Sequence, residues 1–123
     1  MSGKFIWRTL RNILLRDRPY VARLAFTAKD TPHGGLKTDG MKRVVDGLDR
    51  RGVAVISICG GGEPLLRDDF DEIVNYAGGK GLYIKLTSNG AVPLDRYRRL
   101  LSSRVNEIVV SLRAVEGGEL PFS

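Results

Sequence analysis

The tightest constraint on this chain is the apolar run 53–58, Val-Ala-Val-Ile-Ser-Ile, which breaks off in Cys59-Gly60-Gly61-Gly62-Glu63-Pro64. A run this short and this apolar reads as a strand buried on both faces, and such strands belong to parallel sheets. The three glycines then free the backbone and let a ligand approach the main chain closely. Pro64 stiffens the exit. A strand that ends in exposed N–H groups and one carboxylate is a seat for a polar small molecule with an amino group. Taken alone, a plain strand-to-helix turn accounts for the same residues, so the rest of the chain has to decide.

On both sides of that run, strand-like and helix-like stretches alternate. Residues 21–27 are rich in strand formers, and 28–37 form a loop broken by Pro32, Gly34 and Gly35. Thr38 suits an N-cap, and Met41, Val44, Val45 and Leu48 then repeat at helical spacing up to Arg50-Arg51-Gly52. Asp68, Asp69 and Asp71 load the start of the next helix with acid, where the helix dipole favours it. Its inward stripe is Phe70, Ile73, Val74 and Ala77, and Gly78, Gly79 and Gly81 end it. Residues 82–87 read as a third strand, with Ser88-Asn89-Gly90 as a polar turn. Pro93 opens a last helix with Leu94, Tyr97, Leu100 and Leu101 inward and Arg96, Arg98 and Arg99 outward. Residues 105–112 form a fourth strand, and 113–123 show no periodicity.

The order is a helix followed by β-α-β-α-β-α-β, which predicts an α/β fold with a parallel sheet and right-handed crossovers. Ligands in such folds bind at the carboxyl ends of the strands. The loops 28–35, 60–64 and 88–90, with Ser111 after the fourth strand, are therefore expected to gather on one face. The opening helix, residues 4–18, carries Ile6, Leu10, Ile13 and Leu14 on one side and Lys4, Arg8, Arg11, Arg16 and Arg18 around it. It is expected to pack its apolar stripe on its own domain. The alternative is contact with a membrane surface or nucleic acid. Two segments follow from this: a basic amphipathic helix over 1–18 and the α/β unit over 19–123.

Twenty basic residues stand against fourteen acidic ones, a formal charge of +6, but they are scattered, and specific nucleic-acid binding is not expected. The lone Cys59 excludes an intrachain disulfide and a cysteine-based zinc site. No run approaches the ~20 apolar residues of a membrane span, and no signal-peptide pattern is present, so a cytoplasmic location is expected.

Four motifs in this order carry a resemblance. "FT" in the first strand, "GGGEPLL" after the second, "LTSNG" after the third and "VSL" in the fourth resemble the radical S-adenosylmethionine family. The resemblance implies a partial (β/α) barrel. It also implies a 4Fe-4S cluster held by a CxxxCxxC loop after the first strand, and reductive cleavage of S-adenosylmethionine to a 5′-deoxyadenosyl radical. By the same resemblance, Gly61, Gly62 and Glu63 would line the cleft for the methionyl amino group. Ser88 and Asn89 would lie near the ribose or the methionyl carboxylate, and Ser111 would add a hydroxyl contact.

The chain departs from that pattern. The loop after the first strand, Ala28-Lys29-Asp30-Thr31-Pro32-His33-Gly34-Gly35, holds no cysteine, and a cubane cluster needs thiolates. Asp30 and His33 offer two metal ligands at most, so no metal site and no catalytic residue is assigned. Arg113 stands where the family often carries an acid. Four strands do not close a barrel, which implies a fragment, a degenerate copy, or a half-barrel completed by self-association or by a partner chain. The expectation is a family-like domain without its cluster, inactive alone. A non-catalytic binding or scaffold module is the alternative. A phosphate-binding α/β domain is disfavoured by the three acids at the helix start, which repel phosphate.

Overall fold

The computed structural model describes residues 3–15, 20–25, 36–59, 63–90 and 92–111, with the side chains of Ile13 and Leu15 left aside. The elements run α1 (Gly3–Leu15), β1 (Val21–Leu24), α2 (Thr38–Arg50), β2 (Val55–Ile58), a short 3-10 turn (Pro64–Leu66), α3 (Phe70–Gly79), β3 (Tyr83–Ser88), α4 (Leu94–Leu100) and β4 (Glu107–Val110). All three strand pairings are parallel, and the spatial order β1-β2-β3-β4 follows the chain. An order without reversal is that of a barrel wall rather than of a doubly wound sheet, which has a switch point. The fold is thus the predicted parallel α/β half-barrel.

Periodicity explains the core. Ile56, Ile58, Ile84 and Leu86 point to one side of the sheet and meet Met41 and Val45 of α2 and Phe70, Ile73, Val74 and Ala77 of α3. On the other side, Arg23, Ser57, Lys85 and Glu107 stand in one register row across all four strands. Gly52, Gly81 and Gly90 adopt positive φ, and the first two turn the chain out of α2 and α3. Thr38 is not a cap: Lys37 holds that position, and the Thr38 hydroxyl donates to Asp69 at the start of α3.

The first helix reverses the expected packing. Ile6 and Leu10 are each 51% exposed and Leu14 79%, while the opposite face docks on the domain. Arg8 donates to the carbonyls of Val53 and Asp49 and to the Asp49 carboxylate. Lys4 pairs with the same carboxylate at 2.7 Å, Thr9 meets the Tyr20 hydroxyl, and Phe5 stacks on Tyr83 with ring centroids 5.1 Å apart. The reason lies in what the domain offers there. The end of α2 presents carbonyl oxygens with a second lone pair to offer, the negative end of its dipole and an acid, and these call for donors rather than for leucines. Burial pushes the Asp49 carboxyl up, but the Lys4 and Arg8 cations outweigh it and hold it below its ordinary value. These contacts all lie at the amino ends of the strands, so α1 closes the end of the sheet opposite the strand-end loops.

Candidate functional site

β2 runs out at Ile58, and the Cys59 amide still donates to the Leu24 carbonyl of β1. Gly61 and Gly62, both predicted to line the cleft, lie outside the described residues. Glu63 lies within them. It caps the Pro64–Leu66 turn by accepting from the Leu65 N–H at 3.2 Å, and it is 4% exposed. Its carboxylate points at the end of β3. There the Ser88 hydroxyl lies 3.0 Å from each oxygen, and the Asn89 N–H donates at 2.6 Å.

Donor inventory fixes the direction of this network. An ionised carboxylate only accepts, so the single Ser88 proton goes to Glu63. The Tyr97 hydroxyl, 2.6 Å from Ser88 Oγ, must then donate to Ser88. The carboxylate thus receives three protons, from Leu65, Ser88 and Asn89, against roughly four lone-pair sites. No basic side chain lies within ion-pair distance of it among the described residues. A buried carboxylate held by neutral donors, with one acceptor position left, is suited to a small cation.

Ser111 joins this cluster through its backbone, its N–H donating to the Ser88 carbonyl at 2.7 Å. The structure therefore brings Glu63, Ser88, Asn89 and Ser111 to the carboxyl end of the sheet. Gly90, at φ 80°, makes the turn that follows, and its N–H donates to the Ser88 hydroxyl oxygen at 3.4 Å. Cys59 is a free, half-buried thiol, and no group of three or more metal-ligating side chains occurs among the described residues. Asp30 and His33 fall outside the described residues.

Two residues have roles that the periodicity did not reveal. Tyr97 was assigned to the core stripe, yet its hydroxyl completes the Glu63–Ser88 chain. A half-buried tyrosine raises the question of its O–H partner, and the polar turn that begins nine residues upstream was the available signal. Arg96 was placed outward and is instead buried. Its Nε donates to the Leu65 carbonyl, its Nη2 pairs with Asp71 at 3.1 Å, and its guanidinium lies over the Phe70 ring. Its Nη1 is buried with no acceptor among the described residues. Nearby, burial raises the Asp69 carboxyl while Arg67 and Thr38 lower it, and the net shift is downward.

The fold and this cluster define a parallel α/β half-barrel with an anionic polar site at its strand ends. No family model matches the chain. It is similar to the mycofactocin maturase MftC of Mycobacterium tuberculosis, 34% identical over 90 residues, which are 72% of this chain and 22% of that protein. It is also similar to the AdoMet-dependent heme synthase of Methanosarcina barkeri, 36% identical over 87 residues (70% and 25%). A third relative is the S-adenosylmethionine-dependent nucleotide dehydratase of Selenomonas ruminantium, 33% identical over 76 residues (62% and 27%). The chain belongs to the radical S-adenosylmethionine family and spans about a quarter of the length of these curated relatives.

Proposed function

We propose that the strand-end cluster is a site for S-adenosylmethionine, with the methionyl ammonium directed to Glu63. The observation that carries this reading is the buried Glu63 carboxylate, fixed by Ser88 and Asn89 and left without a cationic partner among the described residues. Gly61 and Gly62 flank the ammonium in this reading, and Ser88, Asn89 and Ser111 line the ribose or carboxylate side. Two of the relatives carry the same ligand in their names, S-adenosylmethionine in the nucleotide dehydratase and its abbreviation AdoMet in the heme synthase.

The family's iron–sulfur cluster does not fit the residues present. A cubane is held by thiolates, and the chain has one cysteine, on β2's exit rather than in the loop after β1. We therefore assign this chain ligand binding in the cytoplasm without radical generation of its own. Glu63 holds the ammonium, and the Tyr97–Ser88 chain keeps that carboxylate oriented.

Calorimetric titration with S-adenosylmethionine tests the site. Binding is expected to weaken about tenfold or more in Glu63→Gln, since a hydrogen bond to a charged group is worth roughly 1.5–3 kcal/mol. An analogue lacking the amino group is expected to lose as much against the unaltered chain, which guards against a folding defect in the variant. Equal affinity for ligand and analogue would remove Glu63 from the site. Anaerobic incubation with iron and sulfide is expected to leave no bound iron; a stoichiometric cluster would overturn the assignment.

A second reading, a scaffold module that pairs through its sheet edges, rests on the apolar exposure of Ile108 and Val109 on β4.

A further inference from the structure

We infer that α1 is a docking surface for an anionic lipid bilayer, with Ile6, Trp7, Leu10 and Leu14 entering the headgroup layer. The inference is independent of the ligand reading above, because it concerns the opposite end of the sheet.

The helix is amphipathic, and its apolar side is the one turned to solvent. Ile6, Leu10 and Leu14 succeed one another four residues apart, so they form one stripe along the helix. Trp7, 66% exposed, borders it. The stripe is not free to turn inward. The opposite face is latched by Arg8 on two carbonyls and a carboxylate, by Lys4 on the same carboxylate, and by Phe5 on Tyr83.

Charge selects the occupant. Between Met1 and Arg18 five basic side chains stand against the single acid Asp17; Lys4 and Arg8 are held by Asp49, and the whole chain still carries +6. A cleft of about 270 Å³ opens beside Trp7 between α1 and the end of α2, lined by Lys4, Arg8, Arg11 and Arg50 with the acid Asp49. Arg11 and Arg50 make no ion pair among the described residues. A second copy docking stripe to stripe would bring these like charges together. Nucleic acid would use the cations but leave the leucines wet. An anionic bilayer satisfies both, with apolar side chains and a tryptophan at the interface and cations against lipid phosphates.

Trp7 is the only tryptophan and reports on its own surroundings. The full chain is titrated with phosphatidylcholine vesicles, with and without phosphatidylglycerol, while Trp7 emission is followed. A blue shift is expected with the anionic vesicles only, reversed by raising salt, because screening weakens exposed charge contacts. Leu10→Glu, at an exposed position, is expected to keep its circular dichroism and to lose at least tenfold in vesicle affinity. The inference fails if anionic vesicles leave Trp7 unchanged or if Leu10→Glu binds equally well. It also fails if the emission shifts with protein concentration in the absence of lipid, the signature of a second copy.

Discussion

Ser88 has one proton to give and stands between a carboxylate and a phenol. Replacing it by alanine leaves the buried Glu63 carboxylate short of a donor and removes the Ser88 contact of the Tyr97 hydroxyl. Ser88→Ala is expected to cost about 1–3 kcal/mol by urea unfolding, the usual range for stranding a buried polar group. Tyr97→Phe, which removes only the outer member, is expected to cost about 1 kcal/mol. Glu63, Ser88 and Asn89 were legible in the sequence because a carboxylate after a glycine run and a Ser-Asn-Gly turn after a strand are local features. Arg96 was legible in principle, since it lies four residues before the buried Leu100 and therefore on its face. Its charge argued the other way, and only the Leu65 carbonyl, Asp71 and the Phe70 ring show why a guanidinium can sit there.

Two adjacent glycines near the end of α3 separate packing from propensity. A Cβ on Gly78 would lie 2.4 Å from the Arg104 Cβ, close to a backbone that cannot swing away, whereas a Cβ on Gly79 would meet nothing within 4 Å. Gly78→Ala is expected to destabilise by about 1–3 kcal/mol through overpacking. Gly79→Ala is expected to stabilise by about 0.4–1 kcal/mol by restricting the unfolded chain. Opposite shifts in Tm check the pair. The hold of α1 on the domain carries a pH signature. The folded Asp49 carboxyl titrates below its unfolded value, so its contribution is present above about pH 4 and is lost as the pH falls through the lowered value. Amide exchange in α1 is therefore expected to rise on acidification before exchange in β2 and β3 does. The sequence announced the amphipathic helix but not its orientation. Periodicity finds a stripe; it is blind to the carbonyls and the acid at the end of α2 that claim the other face.

For the molecule as a whole, the α/β alternation and the sheet were legible because both depend on periods of 2 and 3.6 that each segment carries by itself. What closes the sheet was not, since it depends on edges that the described residues leave unpaired. β1 and β4 are the outer strands of the described sheet, and Ile108 and Val109 of β4 are exposed. Such an edge is a template for another strand. Sedimentation velocity is expected to show a concentration-dependent dimer that Ile108→Lys abolishes; a monomer at every concentration would count against edge pairing.

The placement of α1 and of Glu63 at opposite ends of the same strands also sets a height. β3 runs six residues from Tyr83 to Ser88, about 20 Å at the usual rise of a strand. When α1 rests on a bilayer, the sheet stands between the lipid and the Glu63 carboxylate as a spacer. A reactant still sunk among acyl chains is then out of reach of that carboxylate, and whatever meets it there arrives from the water side.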